Sequence, residues 1–440
     1  MKYLVLLLSL LVISILGFSQ KSNTTENSKV SINGFVNSTV YGGSNSYDIS
    51  SAYCEFGLET SYRGTKTRFV SDLRFRQGVF FNEKQTQIEF KECFAEYFND
   101  YFEFSLGNRI IKYGKATGIN PTDNLSPKNY FFLSSDIEDM QMSNFMITTK
   151  FKPAHWLNLE LIGIPIFKPS IYKYELFDIS ESASFDDYIS PDISFDNMSY
   201  SAHLSTSFSF ADISLSGFHG LSNFYGFDVI SIEPIPTVSI TNSAAFYKKS
   251  SIGMDFSIPI STWIINAEGA YNHTKDYKDN LYIPNPNIHY VIGIEKDISK
   301  LKFIAEYSGK YTIDFEKNNP PSFPTDFTDT LQLMNYMYET IRYESEDFNR
   351  RIFDQYYKIN HLAILTIHGD FFYDALSCNL SFINNFTTSE HLIRATAKWK
   401  ITDNLATTIG GQIIGGPKNS IYNLSSDIFN GVYFSFKYSF

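Results

Sequence analysis

The sequence predicts an all-β fold, a transmembrane antiparallel up-and-down β-barrel of about 18 strands with short turns at one end and long loops at the other. Three observations predict it. Val432, Phe434, Phe436, Tyr438 and Phe440 take alternate positions in the last ten residues, with Tyr433, Ser435, Lys437 and Ser439 between them, and period 2 marks a strand with one apolar face. The apolar stripe ends on Phe440 with no polar tail beyond it, so that face requires an apolar surrounding. Aromatic residues make up 17% of the chain against 19% charged, and the charged share falls below the roughly 25% usual for soluble domains. Finally, the connections between strand-like segments are by turns very short and long, which is the rhythm of a membrane barrel.

The chain opens with Met1, Lys2, an apolar run from Tyr3 to Leu16, and then Gly17, Phe18, Ser19 and Gln20. This order of basic, apolar and small residues predicts a secretory signal at 1–19 cleaved after Ser19, a short periplasmic segment at 20–29 and the barrel at 30–440. The first cysteine is Cys54, too far from the cut for a lipid anchor. Beyond Gln20 no apolar run reaches the ~20 residues of a membrane helix. Cys54, Cys93 and Cys378 are too few for a disulfide framework. With 36 basic against 47 acidic residues and a formal charge of −11, the exported chain is unsuited to binding nucleic acid.

Eighteen alternating segments follow. The first five run Val30–Tyr41, Ala52–Tyr62, Thr65–Gln77, Gln87–Phe98 and Tyr101–Tyr113, and the last runs Phe429–Phe440. A weak hairpin near Ile240–Tyr247 leaves 16 or 20 strands open. Tight turns fall at Arg63-Gly64, Asn99-Asp100 and Ala211-Asp212, among others, while the longest connections are Gly114–Ser143, Lys168–Met198, Leu221–Ser251 and Asp314–Tyr357. With both termini in the periplasm, these tight turns are periplasmic and the long loops extracellular.

Parity assigns the faces. On the second strand Glu55 and Glu59 oppose Cys54, Phe56 and Leu58; on the third Arg68, Asp72, Arg74 and Arg76 oppose Phe69, Leu73 and Phe75; on the sixteenth Arg394 and Lys398 oppose Ile393, Ala395 and Trp399. So many alternating charges cannot lie in an apolar core, so they line a wet lumen, joined on the fifth strand by Glu103 and Arg109. Rings of such charges filter solutes in a channel. Lumenal basic and acidic residues are too evenly matched to set an ion preference. Arg68, Arg74, Arg76 and Arg109 gather beside Glu55, Glu59 and Glu103, either as a solute-orienting ladder or as a cross-strand network that stiffens the wall. The fourth strand breaks the rule, because Glu92 and Glu96 share the parity of Phe90 and Phe94.

Two further regions differ from the rest. From Tyr174 to Tyr247 there is no Lys or Arg, but there are ten acidic residues from Glu175 and Asp178 through Glu181 and Asp187 to Glu233. This is either an acidic vestibule, gathering cations or divalent ions that bridge to lipopolysaccharide, or a solvated loop surface. Within Asp329–Phe353 the apolar residues fall near helical spacing, which predicts a helix that plugs the pore or lies on its rim.

The densest motif runs through Gly107-Asn108-Arg109, Tyr113-Gly114, Gly118-Ile119-Asn120-Pro121-Thr122-Asp123 and Ser126-Pro127. Gly114 and Gly118 permit sharp exits from a strand, Pro121 and Pro127 stiffen the path, and Asp123 and Asn124 can bond their own backbone. It resembles a family of porin-like outer-membrane β-barrels of Gram-negative bacteria, in which a Gly-Arg-Gln, Trp-Gly, Asn-Pro-Thr-Asp, Ser-Pro series marks a hairpin and its inward loop. Asn108-Arg109 stands in place of Arg-Gln, and Tyr113 in place of Trp. The resemblance implies a channel in the cell outer membrane for diffusion or export of small solutes, with a structural or surface-interaction barrel plugged by a long loop as the alternative. It implies as partners the membrane lipids and lipopolysaccharide, a small-molecule solute, and the barrel-assembly machinery acting on the strand that ends at Phe440. A lipid-modifying enzyme is a minor alternative. No histidine stands beside a Gly-x-Ser-x-Gly motif, no spacing suggests a metal site, and no cofactor is expected.

Overall fold

The computed structural model describes residues 29–177, 183–186, 190–233, 239–325 and 328–440. The signal at 1–19 and all but Lys29 of the segment 20–29 lie outside them, as do Asp178, Glu181 and Asp187 of the acidic stretch. The strands are β1 (Lys29–Gly42), β2 (Ile49–Arg63), β3 (Thr67–Phe80), β4 (Glu83–Phe98), β5 (Phe102–Arg109), β6 (Asn144–Ala154), β7 (Leu157–Ile164), β8 (Ala183–Asp186), β9 (Ser199–Ser207), β10 (Asp212–Leu221) and β11 (Gly226–Glu233). They continue as β12 (Ser239–Ala245), β13 (Lys248–Ile260), β14 (Trp263–Thr274), β15 (Asn287–Ile298), β16 (Leu301–Thr312), β17 (Ile359–Phe371), β18 (Leu376–Asn385), β19 (Glu390–Lys400), β20 (Leu405–Gly415) and β21 (Gly431–Ser439). The helices are α1 (Thr330–Ile352) and α2 (Ile421–Phe429).

All but β8, β11 and β12 form one 18-stranded sheet in which each strand pairs with its neighbours in the chain, β7 with β9 and β10 with β13 across the inserted loops. The sheet closes where β1 pairs antiparallel with β21. Gly34 and Phe440 exchange both backbone hydrogen bonds at 2.8 Å, so the seam runs from Gly42 to Gly34 and joins the two ends of the sheet. The Ile240–Tyr247 segment is no barrel hairpin. It holds β12, which joins β8 and β11 in a separate three-stranded sheet among the long loops, and the barrel stays at 18 strands.

Val36, Leu106, Ile147, Leu161, Leu215, Ile252, Ile292, Leu365, Ile409 and Phe434 are exposed on the outer face. The three tryptophans, Trp156, Trp263 and Trp399, are exposed beside short turns at one end, where an aromatic girdle meets a membrane interface. The connections follow the expected sorting with two exceptions. Phe81-Asn82 and the four residues 386–389 are tight turns at the long-loop end, and both Phe81 and Asn82 take a positive φ.

The irregular parity of β4 has a local cause. The β3–β4 register passes from Asp72↔Glu92 to Leu73↔Phe90, so Lys91 is a bulge residue. One extra residue reverses the faces beyond it. Hence Phe90 is exposed outside while Phe94 is buried inside, and Glu89, Glu92 and Glu96 all reach the lumen.

Candidate functional site

The wall strand β5 ends at Arg109, four residues sooner than its alternation predicts, because the chain leaves the wall there. Residues 110–143 form a strap inside the barrel, and the strap contains every residue of the sequence motif after Arg109. Its first limb crosses the lumen. Glu268 on β14 accepts hydrogen bonds from the backbone N–H of Lys115 (3.1 Å), Ala116 (3.4 Å) and Thr122 (2.8 Å) and from Thr122 Oγ1 (2.7 Å). Glu306 on β16 accepts from the N–H of Thr117 (2.5 Å) and Gly118 (2.9 Å). In the order β5-β6-β7-β9-β10-β13-β14-β15-β16-β17, β14 stands a third of the way round the wall from β5 and β16 nearly opposite it.

Both carboxylates are almost fully buried. Charge-assisted bonds from backbone N–H groups offset their desolvation, and the acids in turn satisfy donors that irregular backbone would leave unpaired. The glycines belong to this docking. A Cβ on Gly114, whose φ is +101°, would lie 2.4 Å from Glu268 Oε2, and one on Gly118 would lie 2.4 Å from Ile364 Cδ1 of β17. Gly118 is therefore small because the far wall is close, whereas Gly114 also supplies a left-handed turn.

The strap carries its own small core. Tyr113 and Leu125 pack with Met146, Ile162, Ile164 and Phe218, and the Tyr113 ring stacks on His203 at 4.0 Å. Tyr113 donates to Glu160 Oε2 (3.1 Å); burial and that carboxylate hold its phenol well above the ordinary tyrosine range. Asn120 Nδ2 donates to the carbonyl of Tyr113, and Pro127 accepts from Met142 N–H. Asp123 is half-buried, its Oδ1 is enclosed and unpartnered, and desolvation pushes its carboxyl up to about 6.

The second limb leans on the other wall. Phe131, Phe132 and Leu133 pack among Tyr41, Tyr53, Phe80, Phe81, Ile428 and Tyr433. Arg394 donates to the Ser134 carbonyl (3.0 Å), and the bulge residue Lys91 donates to the carbonyls of Glu138 (3.2 Å) and Asp139 (2.7 Å).

The predicted charges form two groups rather than one. Arg74 meets Asp72 (2.5 Å), Glu55 (3.1 Å) and Glu59 (3.4 Å), while Arg76 meets Glu55 and Glu89 (2.7 Å). Arg76 also lies 4.4 Å over Phe132 of the strap. Further round, Glu103 pairs with Lys152 and Lys150, and Lys150 with Glu160. Arg109 donates to Ser105 Oγ (2.6 Å) and Thr148 Oγ1 (3.2 Å) and covers Phe94 at 4.5 Å. Arg68 stands apart, 5.8 Å over the same ring.

A cavity of about 720 Å³ lies between the second limb and the wall, lined by Arg74, Arg394, Lys398 and Lys437 and roofed by Asp136, Glu138 and Asp139. Phe35 and Lys437 also line a mouth of about 430 Å³ at the short-turn end, beside Asn404 and Phe440. On the other side of the strap a cavity of about 630 Å³ is lined by Arg109, Lys150, Glu160 and His203. Lys398 and Lys437 pair with no carboxylate among the described residues; Lys437 lies 4.0 Å from the Phe35 ring. Parity puts Glu268 and Glu306 inside but cannot show that they hold a loop from the opposite wall. Lys91 was hidden by the bulge.

Helix α1 packs over the long-loop end. Its Asn349 Nδ2 donates to the Phe227 carbonyl and its Oδ1 accepts from Phe227 N–H, both at 2.8 Å, and Ile352 and Phe353 join Tyr174, Tyr225, Phe227 and Tyr247 in an aromatic cluster. Of the two placements open in sequence, the rim is the one observed. The segment that enters the lumen is the strap.

The closed 18-strand wall, apolar outside and charged within, defines a transmembrane β-barrel of the outer membrane. Its fold is similar to that of Pseudomonas aeruginosa OccK3 (OpdO), with TM-score 0.54 and 10% identity over 94% of this chain and 96% of that one. It is similar also to the outer membrane protein opdK of the same organism, with TM-score 0.52 and 8% identity over 94% and 99%. A structure of OpdK with vanillate matches with TM-score 0.53 and 7% identity over 94% and 98%. Neither a protein-family model nor a curated protein matches the sequence.

Proposed function

We propose that the protein is a porin-like channel in which the strap sets the constriction and the β19–β21 wall draws small anionic solutes, carboxylates among them. The observation that carries this reading is the unpaired state of Lys398 and Lys437 beside Arg394 in a wet cavity that adjoins the short-turn mouth. Lumenal cations elsewhere are largely matched by acids: Arg74 and Arg76 on β3, Lys150 on β6, Lys302 on β16. Asp136 and Asp139 of the same cavity, which pair with no cation among the described residues, belong to the strap, whereas β19, β20 and β21 bring Arg394, Lys398 and Lys437 and no acid to its lining, and free charge near a constriction sets selectivity. The similarity to OpdK, solved with the aromatic carboxylate vanillate, supports the same class of solute.

Planar-bilayer recording across a KCl gradient tests it. Steady conductance with an anion-leaning reversal potential is expected, moved toward cations in Lys398→Gln/Lys437→Gln. An unmoved reversal potential removes these lysines from the filter. The packed aromatic cluster at the long-loop end supports the alternative of a closed barrel that works through its loops, and a folded protein with no conductance decides for it.

A further inference from the structure

The eight histidines are unevenly placed. His219 lies two residues from the end of β10, His273 one from the end of β14, His361 two from the start of β17 and His391 one from the start of β19. All four strand ends belong to the long-loop rim. All four side chains share the outward parity, His219 with exposed Leu215, His273 with Tyr271, His361 with Leu365 and His391 with Ile393. Imidazoles are out of place on a hydrocarbon-facing wall but suit the depth at which headgroups begin.

Three of them are oriented in the same way. His219 Nδ1 is 2.9 Å from Ser250 Oγ, His273 Nδ1 is 3.5 Å from Tyr271 OH, and His361 Nδ1 is 2.5 Å from Tyr307 OH. The register aligns His219, Ser250 and His273 in one row across β10, β13 and β14. A hydroxyl that donates to Nδ1 leaves the ring proton on Nε2, and none of these Nε2 atoms has a protein partner among the described residues. Each ring thus offers an N–H away from the wall. Exposed Lys248, outward at the start of β13, adds a positive charge to the row, and none of the outward positions named here is acidic.

Donors and positive charge without acids, set at headgroup depth, complement an anion that the membrane itself holds there. We propose that His219, His273 and His361, with Lys248, form a docking band for the phosphate groups of lipids around the long-loop end of the barrel. The occupant is a phosphate-bearing lipid headgroup, and the band is independent of whether the lumen conducts. Three water-exposed hydrogen bonds to a charged group, each contributing about two-fold, give an expected preference of about ten-fold for phosphorylated over dephosphorylated lipid.

The test is native mass spectrometry of the full chain in detergent, titrated with diphosphoryl lipid A and, separately, with its dephosphorylated form. The wild type is expected to retain the phosphorylated lipid at about ten-fold lower concentration, and H219F/H273F/H361F, which removes the ring N–H donors, to bring the two within about two-fold. Equal retention by the wild type overturns the proposal, as does an undiminished preference in a triple variant that keeps heat-modifiable gel mobility. If the triple variant does not fold, His361→Phe alone, expected to cost about two- to three-fold, carries the same test. Displacement of the lipid by millimolar inorganic phosphate would show a free-ion site and overturn the lipid assignment.

Discussion

Glu55 holds the wall and the strap together, and Glu55→Gln measures how much depends on it. Its side chain is 3% exposed and accepts from both Arg74 and Arg76, whose own side chains are 11% and 5% exposed. Removing one partner of a buried pair costs about 3–5 kcal/mol, because the other charge is left uncompensated. Here Arg74 keeps Asp72 and Glu59, and Arg76 keeps Glu89, so the loss should fall at the lower end, about 3 kcal/mol. It should reach the strap, because Arg76 is the platform for Phe132. It also removes a negative charge from the lining of the 720 Å³ cavity, which moves the reversal potential toward anions. The assay is the temperature at which the heat-modifiable mobility is lost, together with bilayer recording. Glu59→Gln is the control: its side chain is 47% exposed and its contact is 3.4 Å, so less than about 1 kcal/mol is at stake. A Glu55→Gln protein that matches the wild type in both assays refutes the reasoning.

Three further outcomes follow from the strap and the rim. Glu268→Gln/Glu306→Gln should release the strap tip, raising conductance and its noise and speeding hydrogen exchange at the amides of residues 115–118; equally slow exchange in wild type and variant would show that the carboxylates do not hold it. Burial raises the Asp123 carboxyl from 3.8 to about 6, so ionising it costs stability progressively as pH rises from about 4 to about 6, and the full cost persists above. The wild type should therefore be more stable at pH 5 than at pH 7 by about 1.4 kcal/mol, the share of the cost that accrues over the one pH unit between pH 5 and about 6. Asp123→Asn should remove that dependence and gain at pH 7, and parallel curves for the two proteins would contradict it. Asn349→Ala leaves both Phe227 backbone groups buried without partners, at about 1–3 kcal/mol each, so limited proteolysis should cut α1 faster while the barrel stays folded; an unchanged rate would deny that these bonds pin the helix.

The wall was legible because each strand carries its own instructions. Alternation needs only neighbours in sequence, and every barrel strand shows it, from Val36 opposite Asn37 on β1 to Phe434 opposite Ser435 on β21. The one strand that misled, β4, did so through a single extra residue at Lys91, which reverses parity without changing composition. The small sheet of β8, β11 and β12 was illegible for another reason: its strands are short and lean on an aromatic cluster gathered from five loops and a helix.

The strap shows where local reading ends. Period 2 tells whether a side chain points into the lumen, but not what meets it there, and Thr122 and Glu268 stand 146 residues apart in sequence. The motif announced an irregular loop through its glycines and prolines, and the far wall showed a buried acid on each of two strands; the match between them exists only once the barrel is closed. The same limit explains the helix. The apolar spacing of α1 shows that it is amphipathic, which both a plug and a rim helix must be. What separates them is whether the lumen offers partners, and the inward carboxylates best placed to do so, Glu268 and Glu306, already hold the backbone of residues 115–122. Beyond its first turn, where Asp329 already caps the N–H groups of Leu331 and Gln332, a helix satisfies its own backbone, whereas the irregular residues 115–122 bring several unpaired N–H groups to these two acids.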